Sequence, residues 1–131
     1  MGKSDFMLGL PLSSSASVVS RPKMISALET RRSNNDRDEK IWMSDSSCSR
    51  GVLQVVAAKY HSVAVTLGGE VLTWGHGRSG RLGHGDENPR PEPCSVVSLF
   101  RSLEHKKMVV MAAAGENHTM VLTDSGTVYA W

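Results

Sequence analysis

His61, His76, His84 and His118 are the residues whose type suits metal ligation or proton transfer. A metal site needs three or four donors converging on one point. His61 and His118 stand 57 residues apart in two look-alike stretches, so they hold one position in two successive units and point the same way, a unit apart. His76 and His84 share a glycine-rich loop with no nearby cysteine or paired acid to complete a shell. No metal site is therefore expected, and these histidines read as hydrogen-bonded structural groups. Nucleophilic catalysis fails on similar ground. The serines concentrate before residue 50, and no acid is placed to orient either repeated histidine. The chain is expected to be no enzyme, with no catalytic residue and no cofactor.

Gly75-His76-Gly77-Arg78-Ser79-Gly80 satisfies the G-x-G-x-x-G pattern of dinucleotide sites. That chemistry needs a helix immediately after the glycines, with its N-terminus facing the pyrophosphate. The next residues are RLGHGDENPRP, which cannot be helical, so the glycines read as a tight loop between strands. No Gly-Lys-Ser/Thr is present to make a phosphate loop. On this loop Arg78, Arg81 and His84 form a candidate partner-binding set able to capture an acidic group; the simpler reading is two solvated arginines. Asn117-His118-Thr119 is formally a glycosylation sequon, rejected because it opens an expected buried strand.

Charge narrows the partners. The 131 residues carry a net charge of +2, and residues 51–131 hold seven basic and seven acidic side chains. A neutral region offers no basic face for a phosphate backbone, so nucleic acid is not expected as a partner. No apolar run approaches the roughly 18 residues that span a bilayer, and no membrane role is expected. Asp5 and Pro11 break the opening segment as a secretory signal, and Phe6 spoils it as a myristoylation site. Cys48 and Cys94 do not recur with the repeat and read as free thiols of a reducing compartment, cytoplasmic or nuclear. Residues 1–50, with a serine run and the mixed charge run RRSNNDRDEK, read as a disordered Ser/Arg-rich tail.

Residues 51–131 must position everything else. Val52–Trp74 and Val109–Trp131 align with His61 on His118, Trp74 on Trp131, Thr66 on Thr123 and Gly69 on Gly126. A fixed period of this size marks stacked supersecondary units. Each copy reads as three strands, with reversals at Leu67-Gly68-Gly69-Glu70 and Asp124-Ser125-Gly126. The paired glycines predict a two-residue hairpin turn in the first copy. The apolar runs at Val55–Ala58 and Val109–Ala114 predict strands covered on both faces, with Ala112, Ala113, Ala114 and Gly115 where sheets crowd closest. No amphipathic helix of adequate length lies between the copies, so the cover must be another sheet. The fold expected is all-β, a partial β-propeller of about one and a half blades. Leu82 is the only large apolar residue of the loop and its expected plug; Cys94–Phe100 is expected to be the outer strand of the next sheet.

The loop GHGRSGRLGHGDENPRPEP followed by AAAGENHTMVLTDSGTVYAW resembles the repeat of the regulator of chromosome condensation family. Gly77, Gly80, Leu82, Gly83, Gly85 and Asp86 match its loop, and Gly115, His118, Thr119, Gly126 and Trp131 stand in its A-x-G-x-x-H-[ST]-x-x-L-T-x-x-G-x-V-[YF]-x-W pattern. The first copy departs at Ala58, where the pattern has glycine, and at Leu72, where it has an aromatic. The resemblance implies a propeller of about seven blades, which at this period needs about 400 residues. The chain is accordingly expected to be a piece of such a ring, poorly stable or self-associating when isolated. It further implies a non-catalytic scaffold for protein partners. A guanine-nucleotide exchange factor for a small GTPase and a chromatin-binding protein are the alternatives.

Overall fold

The computed structural model describes Ile25, Leu28 and residues 51–103 and 107–131, without the side chains of residues 100–102. Apart from Ile25 and Leu28, the expected 1–50 tail lies outside the described residues. Strands β1 (Val52–Ala57), β2 (His61–Thr66), β3 (Val71–Gly75) and β4 (Arg90–Ser95) form one antiparallel sheet in the order β1-β2-β3-β4. A short helix, α1 (Val97–Ser102), comes next. Strands β5 (Val109–Ala114), β6 (Thr119–Thr123) and β7 (Val128–Ala130) make a second antiparallel sheet.

The repeat is legible in the backbone, bond by bond. β1 and β2 pair with a bulge between Val52 and Gln54; β5 and β6 pair with the same bulge between Val109 and Met111. Thr66 Oγ1 accepts the Glu70 N–H at 3.1 Å, and Thr123 Oγ1 accepts the Thr127 N–H at 3.1 Å. The hairpin turn differs from the expected two-residue form. Thr66 pairs with Glu70 across three residues, and only Gly69 of the two glycines is left-handed (φ 80°), as Gly126 is in the second copy (φ 83°). A three-residue loop closing on a left-handed glycine makes a bulged hairpin, which suits the twist of the strands with one glycine instead of two.

The core lies between the sheets. Val63, Val65 and Val71 of the first sheet meet Val109, Ala112 and Val121 of the second. The expectation of cover on both faces, made for β1 and β5, fails; the strands buried on both faces are instead β2 and β3. Every residue of β2 and β3 is buried, whereas Leu53, Val55, Val110 and Met111 are exposed. β2 and β3 are the central strands of the larger sheet; β1 and β5 lie at sheet edges. Of the small residues expected at the closest approach, Ala112 alone is buried, and its N–H is bonded across the gap by Gln54 Oε1 at 2.8 Å.

Cys94–Phe100 is not an outer strand of the next sheet. Cys94 and Ser95 end β4, the outer strand of the first sheet, where they pair with Thr73 and Leu72. Pro91 and Pro93 donate no hydrogen bond, and an edge strand tolerates this. From Val97 the chain is helical, and Val96, Leu99 and Leu103 carry a buried face into the core.

Candidate functional site: the cleft between the two sheets

The loop from Gly75 to Asp86 leaves β3 and lies over the joint between the sheets. Leu82 is 1 % exposed and plugs it, as its isolation among polar residues predicts. Two successive carbonyls fix the plug to both sheets. Leu82 O accepts the Thr73 hydroxyl of the first sheet at 2.7 Å. Arg81 O accepts the Thr119 hydroxyl of the second sheet at 2.7 Å and the Trp131 indole N–H at 3.1 Å. Gly83 is required here because a Cβ would fall 2.6 Å from the Trp131 indole nitrogen. Asp86 closes the loop onto β4, its carboxylate accepting the Asn88 N–H at 2.9 Å and the Arg90 guanidinium at 2.8 Å. Arg90 and then the Asn88 backbone hold its pKa below the usual carboxylate value.

The two threonines also settle the histidines beside them. Each hydroxyl gives its only proton to a carbonyl, so it must accept from the imidazole. His61 Nε2–H therefore donates to Thr119 Oγ1 at 2.8 Å, and His84 Nε2–H to Thr73 Oγ1 at 3.0 Å. His61 is fully buried, and its Nδ1 is the one buried side-chain nitrogen or oxygen without a hydrogen-bond partner among the described residues. Burial, and after it the charges of Arg81 and His118, push the His61 pKa down to about 4. Burial and the Arg90 charge lower that of His84. Among the described residues no three His, Cys, Asp or Glu side chains gather as a metal site.

Above the plug lies an open cleft of about 610 Å³, lined by Tyr60, His76, Arg78, Ser79, Arg81, Glu116 and Asn117. The candidate binding residues divide over it. Arg78 is exposed in the short 3-10 turn Arg78–Gly80 at its edge. Arg81, expected at the surface, is instead 3 % exposed, on the wall of the cleft. Its Nε–H donates to Arg78 O at 2.6 Å and its Nη1–H to Glu116 O at 3.1 Å, and the guanidinium lies 5.0 Å from the Tyr60 ring centre. His84 faces Thr73 instead and is no part of the lining. Lys59 Nζ also lies 5.0 Å from the Tyr60 ring centre, and 3.2 Å from Glu116 Oε1.

Comparison with known proteins gives the architecture a family. Residues 68–122 match the family model described as the regulator of chromosome condensation (RCC1) repeat. This chain carries an RCC1 repeat. The mouse Inhibitor of Bruton tyrosine kinase is 49 % identical over 80 residues, which cover 61 % of this chain and 6 % of that protein. The human E3 ubiquitin-protein ligase HERC2 is 34 % identical over 111 residues, covering 85 % of this chain and 2 % of its own length. The chain thus spans only a few per cent of these curated relatives. Prp20p from Saccharomyces cerevisiae, whose crystal structure was described with its binding to Gsp1p and histones, superposes with a TM-score of 0.71 at 26 % identity, over 98 % of this chain and 26 % of that one. The two sheets are therefore neighbouring blades of an RCC1-type propeller.

The plug, its glycines and Glu116 lie within the matched repeat, and Lys59 and Tyr60 lie before it. Lys59, Tyr60 and Glu116 are residues that sequence reasoning passes over. A signal for them exists: Lys59 and Glu116 are separated by the repeat period itself. Equivalent positions of stacked units become neighbours across the joint, so opposite charges at one repeat position predict an inter-blade pair.

Proposed function

We propose that this chain contributes blades to a non-catalytic RCC1-type scaffold that binds protein partners through the loop end of the propeller, in the cytoplasm or nucleus. The observation that carries this reading is the cleft itself. Its walls come from both blades, and Arg81 and the Thr73 and Thr119 hydroxyls hold its loop in place. A rigid frame presenting exposed loop residues suits recognition. The relation to Prp20p supports a protein partner. It also favours the second reading, an exchange factor acting on a Gsp1p-like small GTPase. The two separate in one assay, release of fluorescent GDP from a Gsp1p-like GTPase with and without the chain. The scaffold reading expects an unchanged rate, and clear acceleration would replace it with the exchange reading.

The isolated 131-residue chain is further proposed to self-associate head to tail. Met120, Leu122 and Val128 stand one repeat beyond Val63, Val65 and Val71, the residues that seat the second blade on the first, and Met120 and Val128 are exposed. A face of this kind accepts another blade, and a heterologous contact does not close on itself. Light scattering over a concentration series should show mass rising with concentration, and Val128→Lys should suppress the rise; a monomer at all concentrations would refute it.

A further inference from the structure

Arg81 holds a buried charge with no counter-ion among the described residues. Lys59 pairs with Glu116 and Arg90 with Asp86, and among the described residues no carboxylate lies within ion-pair range of Arg81. Taking a guanidinium out of water costs several kcal/mol unless an anion and full hydrogen bonding offset it. Here the offset consists of two neutral carbonyls and the face of Tyr60. A guanidinium carries five N–H donors, and the bonds to Arg78 O and Glu116 O use two of them. No nitrogen of Arg81 is both buried and orphaned, since His61 Nδ1 alone has that status among the described residues. The remaining donors are therefore reached through the cleft that Arg81 lines.

We propose that this cleft takes a side-chain carboxylate from an acidic peptide segment of a protein partner, received by the outer edge of Arg81 with Arg78 closing over it. The guanidinium fork matches a carboxylate in width and plane, which a lysine would not. Burial has already ordered Arg81, so little side-chain entropy remains to be lost on binding. Arg78, exposed on the adjoining turn, supplies a second fork from the solvent side. Glu116 marks the limit of the site, because its carboxylate is held by Lys59 and repels a second anion at that end. Tyr60 gives the cleft an aromatic wall for the methylene groups of an entering Glu or for an apolar neighbour. A nucleic acid fits less well. Phosphate backbones are bound by rows of cations, and residues 51–131 are neutral in sum.

This proposal rests on the scaffold reading and fails separately from it. The test uses the full chain and two fluorescein-labelled nonapeptides, one rich in Glu beside a single Leu and the other with every Glu replaced by Gln. Anisotropy should show the Glu peptide binding at least about tenfold more tightly than the Gln peptide, the effect of losing one charge-assisted bond or more. Arg78→Ala should weaken the Glu peptide by about tenfold. Arg81→Lys, which keeps the charge and loses the fork, should weaken it further while a thermal melt reports whether the fold is retained. An oligonucleotide of equal charge should compete no better than the Gln peptide. Equal binding of the two peptides, indifference to Arg78→Ala, or tighter binding of the oligonucleotide would each overturn the carboxylate site. If a protein partner identified in cells stays bound to the Arg78→Ala and Arg81→Lys proteins, the scaffold stands and this site does not.

Discussion

Each position of the first hairpin has a counterpart 57 residues later with the same backbone bonds, yet the counterparts live in different surroundings. Val63 is 0 % exposed and Met120 is 41 %; Val71 is 3 % exposed and Val128 is 55 %. His61 is buried against Thr119, while His118 is exposed and its ring lies across Gly115, where a Cβ would collide with it. Ala58 stands where the second copy has Gly115, so that path is closed to the His61 ring. Two influences separate here. Local bonding, through the bulge, the threonine and the left-handed glycine, makes each hairpin; the neighbouring blade decides which side chains are buried. Stability should therefore be concentrated on the side of each hairpin that faces the joint.

The largest contrast expected is one of pH. Unfolded His61 takes a proton near pH 6.5, whereas the folded residue does so near 4, so the unfolded chain binds more protons between those values. Unfolding free energy should fall by about 3 kcal/mol as pH drops through that window. His84 shifts in the same direction and adds to the slope. Urea titrations at pH 7 and pH 4.5 should show His61→Gln flattening the dependence; an unchanged slope in that variant would refute it.

Next come the paired apolar positions. Val63→Ala should cost about 2 kcal/mol, and Met120→Ala no more than about 0.5 kcal/mol, in chemical denaturation of the dilute chain. The two threonines that hold the plug should differ less. Thr119→Val leaves Arg81 O without its hydroxyl donor and both nitrogens of buried His61 without partners, at about 2 kcal/mol. Thr73→Val frees a half-buried His84 that water can reach, at about 1 kcal/mol. Smallest is Gly115→Ala. It need only displace an exposed His118 ring, and should shift the melting midpoint by no more than about 2 °C.

Legibility in the sequence divides along the same line. The hairpins and the propeller class can be read because the repeat writes each local bond twice, and the plug residue Leu82 because it is the only large apolar side chain of its loop. Helix α1 escapes such a reading because a short apolar run such as Cys94–Phe100 does not distinguish strand from helix, although Val96, Leu99 and Leu103 keep helical spacing. Arg81 reads as a surface residue because charged side chains usually are; only the folded loop shows the guanidinium turned inward onto Tyr60. The cleft is not legible because its walls meet across the joint, at distances no single unit encodes.

The RCC1 repeat runs from Gly68, in the turn before β3, to Leu122, within β6. It therefore straddles two blades and contains both Arg81 and Thr119, the two ends of one bond across the joint. A stretch of gene with these bounds carries the fastening together with what it fastens. Duplicating it lengthens the ring without inventing a new contact, and a substitution in one copy alters a single seam while leaving the others as they were.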